Sequence, residues 1–419
     1  MNRRGPDSGG RTQGAGSGGP MPAERGVPAG IAAQVLAGER ISTAEAEALF
    51  TCEDLPALGA LADTVRRRLH PEPVVTYVVG CNLNYTNVCW VRCRFCAFYR
   101  PPGDPEGYIL TRDQMAERIQ ALVELGGREL LLQGGVNPNL KLDYYLDLLK
   151  WIKATWDVHL HAFSPVEVTY IAKISGLTLE QALGRLREAG LDTLPGAGGE
   201  ILADRVRTEI SPLKDSADEW IEMMRTCHTA GIRTSSTMMY GSVESIAERV
   251  EHLDRIRRLQ DETGGFNSFI AWSFVPDATE LAGTPRASGF DYLRTMAVAR
   301  LFLDNVPNFQ ASWVTQGAKI AQVSLRFGVN DFGSTVLEEN VVSAAGGTHR
   351  MDLPGMIRLI EDAGYRAVPR NTDYTLLPAP AHEEIEARWR KGSTGMPAGS
   401  GPAAIEGTGG RLPRSAATQ

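Results

Sequence analysis

Three cysteines of this chain, Cys89, Cys93 and Cys96, stand within eight consecutive positions in a stretch without helical or strand periodicity. Clustered thiolates bind zinc or iron–sulfur clusters in proteins. Structural zinc normally has four ligands, and no fourth Cys or His lies in this stretch, so zinc is disfavoured. Three thiolates can instead bind three irons of a 4Fe-4S cluster and leave the fourth iron open to a small molecule. We therefore predict that these cysteines are iron ligands; the alternative is three buried or incidental cysteines, or a site for another metal.

The remaining cysteines, Cys52, Cys81 and Cys227, stand apart from this group, and we expect them to act as small hydrophobic residues. A tight thiol group in so long a chain is typical of metal binding in a reducing compartment rather than of a disulfide framework. The net charge of -7 disfavours a partner that is nucleic acid or anionic lipid. No apolar run is long enough to span a bilayer or to form a secretory signal, so we expect a cytoplasmic protein without a membrane partner.

The elements around the cysteines repeat one unit, in which a capped amphipathic helix is followed by Gly and then a short apolar strand. A Ser or Thr with Glu or Gln three residues later marks a helix start, because each side chain binds an amide of the first turn. Four such pairs occur: Thr111 with Gln114, Thr178 with Gln181, Ser216 with Glu219, and Ser245 with Glu248. Candidate strands lie near 74–80, 129–133, 158–163, 191–195, 234–240, 268–274 and 309–313. Alternating strands and helices predict an α/β fold, a closed or nearly closed β/α barrel of the TIM type.

Composition divides the chain into four segments. Residues 1–28 and 391–419 are rich in Gly, Pro and Ser and poor in large apolar residues, so we expect disordered tails. Between them we expect an N-terminal helical segment over 29–73 and the barrel with a C-terminal extension over 74–390.

In such barrels the active site lies at the carboxyl ends of the strands, which directs attention to the residues that follow each strand. Gln133, Gly134 and Gly135 end the second strand, where a backbone without Cβ atoms permits close approach of a ligand; a tight turn is the alternative. Glu200 follows the fourth strand and could accept hydrogen bonds from a ribose diol, or could be a solvated residue at a helix start. Arg207 could pair with a carboxylate, or could lie on the surface.

Two histidines, His159 and His161, alternate along the third strand and therefore share one of its faces. No carboxylate or third His stands near them at ligand spacing. We expect a hydrogen-bonded interior pair rather than a metal site, and His161, nearer the strand end, is the candidate that could reach a pocket and take part in catalysis.

The spacing of the cysteines, with the aromatic Phe95 directly before the last of them, resembles the signature of the radical S-adenosylmethionine (SAM) superfamily. The resemblance implies one 4Fe-4S cluster whose open iron is chelated by SAM, with Phe95 against the adenine. It also implies that an electron from the reduced cluster cleaves SAM and that the resulting 5′-deoxyadenosyl radical takes hydrogen from a substrate. The superfamily often has Gly-Gly-Glu after its second strand, with the backbone on the SAM amino group. Here Asn137 follows Val136, so only the backbone role of Gly134 and Gly135 carries over.

Further segments narrow the resemblance to the family of cyclic dehypoxanthinyl futalosine synthases. They are NLNYTNVCWVRCRFCAFYRP, LLLQGGVNPNLKLDYYLDLLKWIK, HLHAFSPVEV, LDTLPGAGGEILADRVR, RTCHTAGIRTSSTMMYG, RIRRLQDETGGFNSFIAWSF and GVNDFGSTVLEENVVSAAG, from about residue 76 to 375. Departures from the family pattern include Cys81 before the cysteine motif and Trp90 inside it.

This family resemblance implies an enzyme of menaquinone biosynthesis by the futalosine pathway. It implies that hydrogen is removed from the 4′ carbon of dehypoxanthine futalosine and that the sugar radical closes onto the aromatic ring. A low-potential donor such as flavodoxin or ferredoxin would reduce the cluster, and Arg92 and Arg94 could aid its docking or could be solvated. The alternatives are the sister aminofutalosine and deazaflavin-forming synthases, and a non-catalytic iron–sulfur electron carrier, which would need no substrate cavity.

Overall fold

The computed structural model describes residues 26–392, so the predicted tails lie almost wholly outside the described residues. The strands are β1 (Val74–Val78), β2 (Gly80–Leu83), β3 (Glu129–Leu132), β4 (His159–Ala162), β5 (Thr234–Tyr240), β6 (Phe266–Ser273), β7 (Asn308–Gln310), β8 (Asp331–Ser334) and β9 (Arg366–Pro369). The helices are α1 (Ala29–Ala37), α2 (Thr43–Phe50), α3 (Leu55–Leu69), α4 (Arg112–Glu124), α5 (Leu142–Thr155), α6 (Pro165–Ile174), α7 (Leu179–Ala189), α8 (Asp204–Ile210), α9 (Ala217–Thr229), α10 (Ile246–Thr263), α11 (Gly289–Phe302), α12 (Trp313–Ser324), α13 (Val341–Ala344), α14 (Leu353–Asp362) and α15 (His382–Gly392).

The parallel strands form a closed ring. One sheet runs in the order β5, β6, β7, β8, β1 and β9, and a second runs β2, β3, β4. Strands β1 and β2 are the two halves of one strand. β1 pairs with β8, and the bridge between Cys81 of β2 and Leu337 continues this pairing past the end of β8. Thr193 bridges to β4 and Leu194 to β5, so these two residues form a short strand between β4 and β5, at the place of the strand predicted near 191–195. The prediction of a β/α barrel is confirmed, and the barrel is closed.

Capping boxes define the starts of the helices that return the chain between strands. All four predicted pairs are present as reciprocal capping boxes at the starts of α4, α7, α9 and α10. Each cap satisfies amides that the first helical turn leaves without a partner and stabilises its helix by about 1 kcal/mol. The caps thereby fix where each strand-to-helix connection ends, and these connections form the rim of the barrel.

The N-terminal helices α1–α3 cover the outside of the barrel. Helix α3 packs against α11, and α2 packs against α10 and α11. A Cβ atom on Gly59 would lie 2.6 Å from the ring of Phe327, so glycine at this position permits the close approach of α3 to the chain after α12. Arg40 joins this layer to α10 through an ion pair with Asp261 at 2.7 Å.

The N-terminal mouth of the barrel is closed by residues 370–376, which we call the floor segment. Strand β9 adds to the outer edge of β1 and leads directly into this segment. Arg370 is buried and pairs with Asp331 through Nε–Oδ2 and Nη2–Oδ1 distances of 2.5 and 3.0 Å. Thr372 donates a hydrogen bond of 2.6 Å to Glu129 at the start of β3. Ligands therefore reach the barrel interior from the opposite end, where the strands end.

Candidate functional site

The cysteine loop follows β2 at the carboxyl end of the barrel. Cys93 is buried, Cys89 and Cys96 are half-buried, and all three are unpaired thiols. The amide of Cys96 donates to the carbonyl of Cys93 at 3.0 Å, and the amide of Cys89 donates to the carbonyl of Arg100 at 2.9 Å. Burial raises the pKa of Cys93 to about 12, while the nearby Lys214 ammonium acts in the opposite direction. These bonds hold the three thiols on one short turn of backbone.

No group of three or more Cys, His, Asp or Glu side chains among residues 26–392 converges on a single metal ion. Each cysteine of a 4Fe-4S cluster binds a different iron, and the three unpaired thiols on this loop offer the ligands that such a cluster needs.

The turn after β3 lies directly against the cysteine loop. A Cβ atom on Gly135 would lie 2.3 Å from the carbonyl oxygen of Val88 and 3.0 Å from Cβ of Cys89. A Cβ atom on Gly134 would lie 2.7 Å from the ring of Tyr85. Glycine at both positions is thus explained by close packing against the protein itself, while the approach of a ligand to this turn stays a prediction. Gln133 lies beside them and donates to the carbonyl of Phe163 at 3.2 Å.

A buried carboxylate that the sequence analysis did not single out supports this turn. Oε1 of Glu167 accepts hydrogen bonds from the hydroxyl of Tyr85 at 2.5 Å and from the amide of Gly134 at 3.1 Å. Its Oε2 accepts from the hydroxyl of Ser164 at 2.7 Å. Burial raises the pKa of Glu167 to about 7, against the effect of these hydrogen bonds. The spacing of Ser164 and Glu167 is itself a capping pattern, which was the available signal in the sequence.

A second polar group lies on the other side of the cysteine loop. Glu200, with φ of 34°, binds Nζ of Lys214 at 2.9 Å, and this ammonium lies 5.4 Å from the centre of the Phe95 ring. Arg207 donates to the carbonyls of Gly198 and Gly199 and stands 4.0 Å from Oε2 of Glu200. Glu200 and Arg207 are 6% and 3% exposed, so neither is a solvated surface residue.

Two atoms of this group have no hydrogen-bond partner within residues 26–392, namely Oε2 of Glu200 and Nη2 of Arg207. Leaving buried polar atoms without partners costs free energy, and a polar ligand bound here would satisfy them. Lys214 was missed by sequence analysis, since it lies in the irregular stretch after α8 and no pattern marks it. The structure thus brings Phe95, Glu200 and Arg207 together beside Cys93, with Lys214 between them.

The barrel interior, or lumen, lies below the cysteine loop. Strand register and the alternation of side chains place eight partly exposed residues on its wall: Asn82, Leu131, Gln133, His159, His161, Ile270, Trp272 and Gln310. Neighbouring residues on the same strands, such as Leu160 and Phe269, are fully buried against the helices. Side chains that remain accessible inside a closed ring indicate room for a ligand. His161 stands opposite Leu131, one layer below Gln133.

A cleft of about 1150 Å³ opens at the rim beside the cysteine loop. It is bounded by Phe98 and Tyr108 on the loop and by residues 335–340 after β8. Val336 and Glu338 in that stretch have φ of 48° and 64°. A β-branched residue in the left-handed region is strained, and such strain is concentrated at functional sites. The stretch after β8 is therefore a candidate functional segment at the edge of this cleft.

Comparison with known proteins identifies two regions of the chain. The family description "Radical SAM superfamily" matches residues 83–256, and "CofH/MqnC C-terminal region" matches residues 263–383. The cyclic dehypoxanthine futalosine synthase of Halalkalibacterium halodurans is 45% identical over 83% of this chain and 94% of that protein. The chain belongs to the radical SAM superfamily. The enzyme of the same name from Streptomyces coelicolor is 42% identical over 85% of this chain and 91% of that protein.

Related radical SAM proteins with other names are also similar. The 5-amino-6-(D-ribitylamino)uracil--L-tyrosine 4-hydroxyphenyl transferase of Methanothermobacter thermautotrophicus is 43% identical over 78% of this chain and 92% of that protein. Among solved structures, methylornithine synthase (PylB) aligns with a TM-score of 0.65 at 17% identity, covering 85% of this chain and 99% of that one. The latter likeness establishes the barrel fold independently of sequence similarity.

Radical SAM enzymes use a 4Fe-4S cluster and SAM, and this structure offers groups that fit both. The three unpaired thiols lie on one loop, and the two buried polar atoms without partners lie within the group beside Cys93. The radical SAM loop itself is tied to the barrel, since the amide of Arg94 donates to the carbonyl of Ile210 at 2.9 Å. Among residues 26–392 no helix is long and apolar enough to cross a membrane.

Proposed function

We propose that this chain is a cyclic dehypoxanthine futalosine synthase of menaquinone biosynthesis, which closes the substrate ribose onto its aromatic ring after loss of the 4′ hydrogen. The observation that carries the proposal is the similarity to enzymes of that name over nearly their whole length, including both matched regions. An enclosed lumen below the cysteine loop supports a reaction that must keep a radical away from water. It also argues against a simple electron carrier, which would need no such cavity.

The residues of the site receive the following roles in this proposal. Cys89, Cys93 and Cys96 would hold the cluster, which together with SAM would supply a 5′-deoxyadenosyl radical as the hydrogen-abstracting species. Phe95 would contact the adenine, and the Gln133, Gly134 and Gly135 backbone would bind the amino group. Glu200 would accept hydrogen bonds from the ribose diol through its buried Oε2. Arg207 directs its remaining Nη2 donor toward a ligand oxygen.

Two further residues keep these groups in place. Glu167 orients the Gly134 amide from below the turn, since both of its carboxylate oxygens are held by hydrogen bonds. Lys214 forms an ion pair with Glu200 at 2.9 Å and so holds that buried carboxylate in place. Both are positioning residues, and they explain how a loop without regular structure keeps a defined geometry.

The substrate is placed in the lumen below the cysteine loop. Trp272, Ile270 and Leu131 offer apolar surface for its aromatic ring, while Gln133 and Gln310 offer hydrogen bonds for its hydroxyl groups. Ring closure joins two parts of one molecule, so a single enclosed cavity is sufficient. Entry is through the rim cleft between Phe98 and residues 335–340.

We further propose that a low-potential flavodoxin or ferredoxin reduces the cluster and that the enzyme works in the cytoplasm. Arg92 is exposed beside Cys93 and is available to an acidic partner. Arg94 has a different role, because it binds the carbonyl of Glu209 at 3.0 Å and lies 3.6 Å from Glu280. The unpaired thiols of Cys52, Cys81 and Cys227 are buried, in keeping with a reducing compartment.

The proposal is tested by anaerobic incubation of the reconstituted protein with SAM, a reductant and dehypoxanthine futalosine, followed by mass spectrometry. We expect a product lighter than the substrate by two hydrogens, together with 5′-deoxyadenosine. The Cys93→Ala variant is the control and should form neither compound. If 5′-deoxyadenosine appears only when L-tyrosine and the ribitylaminouracil are supplied, the chain is a transferase like the Methanothermobacter protein.

A further inference from the structure

Two lumen histidines share a single hydroxyl group. Nδ1 of His161 lies 2.7 Å from Oγ1 of Thr193, and Nε2 of His159 lies 2.8 Å from the same oxygen. Thr193 belongs to the short strand between β4 and β5, and it lies opposite His161 of β4. The three side chains therefore form a continuous row down the lumen wall, from the substrate layer toward the floor.

The chemistry of a hydroxyl fixes how this row is bonded. A threonine hydroxyl has one hydrogen to donate and can accept others, so between two imidazoles it donates to one ring and accepts from the other. Nε2 of His161 makes no hydrogen bond within residues 26–392 and is the ring nitrogen available to a ligand in the lumen. Each group in the row can thus receive a proton on one side and release a proton on the other.

The charges around the two rings differ. Arg370 acts on His161 and disfavours a positive charge there. Carboxylates of Asp192, Glu129 and Asp373 act on His159 and favour a positive charge, although Lys153 opposes them. Asp373 is an exposed residue of the floor segment, so this end of the row approaches solvent. A proton arriving at His161 is therefore directed toward His159 and the outside.

We propose that His161, Thr193 and His159 form a proton relay that carries the proton lost during ring closure from the lumen to the barrel floor. This inference rests on the proposed function, because the relay needs a substrate that releases a proton after its ring has closed. In this role His161 accepts the proton, and Thr193 and His159 pass it on.

The proton step balances as follows. The C–H bond at the ring-closing aromatic carbon breaks, its electron pair stays on the ring, and its proton passes to Nε2 of His161. Nδ1 of His161 releases its proton to Oγ1 of Thr193, whose own proton passes to Nε2 of His159. The ring radical that remains gives up one electron to an acceptor of the iron–sulfur class, which restores aromaticity.

Burial supports transfer rather than storage of the proton. Burial and the neighbouring His159 and Arg370 lower the pKa of His161 to about 3, and burial also lowers the pKa of His159. Both rings are therefore neutral near pH 7, each with an unprotonated ring nitrogen, and a proton on His161 is held only weakly.

The test compares Thr193→Val, which removes only the hydroxyl at nearly constant shape, with Thr193→Ser, which keeps it. Both variants are assayed anaerobically beside the wild type with SAM, reductant and dehypoxanthine futalosine, and cyclic product and 5′-deoxyadenosine are quantified. A general base contributes about 10²- to 10⁴-fold, so Thr193→Val and His161→Gln should lower the product formed per 5′-deoxyadenosine at least about tenfold. Thr193→Ser should stay within about threefold of the wild type.

Each outcome decides between the two claims. If the wild type and all variants cyclise the substrate with the same product ratio, the relay is wrong and the proposed function stands. If the wild type itself forms no cyclic product, the proposed function and the relay both fail.

A second readout does not depend on activity. In protein labelled with ¹⁵N-histidine, the Nδ1 proton of His161 should exchange slowly with solvent, and Nε2 of His159 should give the signal of an unprotonated ring nitrogen that accepts a hydrogen bond. Spectra of His159→Gln and His161→Gln assign the two signals. Thr193→Val should shift or broaden both signals, while Thr193→Ser should preserve them. Unchanged signals in Thr193→Val would show that the hydroxyl does not connect the rings.

Discussion

The contact between the β3 turn and the cysteine loop predicts that Gly135→Ala prevents cluster assembly. A methyl group at this position would lie 2.3 Å from the oxygen and 2.7 Å from the carbon of the Val88 carbonyl, which are backbone atoms that cannot rotate away. The backbone conformation is not the obstacle, since Gly135 is not among the glycines with positive φ. The substitution therefore forces the turn and the loop that carries Cys89 apart.

The size of the effect follows from what the separation breaks. Gly135 donates to the carbonyl of Thr86 at 2.9 Å, and Trp90 donates to the carbonyl of Val136 at 3.2 Å across the same contact. Loss of two hydrogen bonds costs about 2 kcal/mol, and overpacking adds about 1–3 kcal/mol. A loss of about 4 kcal/mol in a barrel of this size corresponds to a melting temperature lower by about 5 °C.

The assay measures iron and sulfide content and the cluster absorbance after anaerobic reconstitution, and thermal unfolding of the protein without iron. Gly184→Ala is the matched control, because Gly184 lies in helix α7 with nothing near its Cβ position and the change should stabilise the protein slightly. Gly135→Ala with wild-type iron content and melting temperature would refute the close contact.

Three further predictions concern buried charges. Lys214→Met removes the shorter ion pair of buried Glu200 and leaves only Arg207 at 4.0 Å, so SAM binding measured by calorimetry should weaken at least about tenfold. Adding Glu200→Gln should recover folding stability but not SAM affinity. Burial raises the pKa of Glu167 from 4.5 to about 7, so ionising this residue destabilises the fold. The free energy of unfolding attributable to Glu167 should be highest below pH 4.5 and should fall by about 3 kcal/mol as the pH rises through 7. Urea titrations of Glu167→Gln should lack this fall. Arg370→Met removes the buried partner of Asp331 and should lower the free energy of unfolding by about 3–5 kcal/mol in the same titrations. A variant that also carries Asp331→Asn should regain part of this loss. If Arg370→Met were as stable as the wild type, the buried ion pair would be contradicted.

Local sequence patterns predicted most of the barrel because they report local physics. The four capping pairs and their Gly stops located α4, α7, α9 and α10 without knowledge of the tertiary structure. Strand β6, which is rich in apolar and aromatic residues, was equally clear, and β5 was predicted although its first half is Thr-Ser-Ser-Thr. The cysteine spacing similarly indicated an iron site, since the ligands of the loop are close in sequence.

Elements whose identity depends on distant partners were not predictable. Strand β8 reads Asp-Phe-Gly-Ser, and its acidic residue is compensated by Arg370 from the floor segment and by a hydrogen bond from Thr76 of β1. The predicted strand near 309–313 is shorter than expected, because α12 begins at Trp313. Lys214 lies in the site because it binds Glu200, and Glu167 because it binds Tyr85, and neither partner is adjacent in sequence. Such pairings have no local signal.

The central claim is that the deoxyadenosyl radical formed at the cysteine loop takes the 4′ hydrogen of dehypoxanthine futalosine in the lumen. The most direct measurement uses substrate carrying deuterium at the 4′ carbon and follows the label by mass spectrometry of 5′-deoxyadenosine. We expect one deuterium in 5′-deoxyadenosine and a cyclic product that has lost this deuterium. Unlabelled 5′-deoxyadenosine formed together with product that keeps its deuterium would contradict the account.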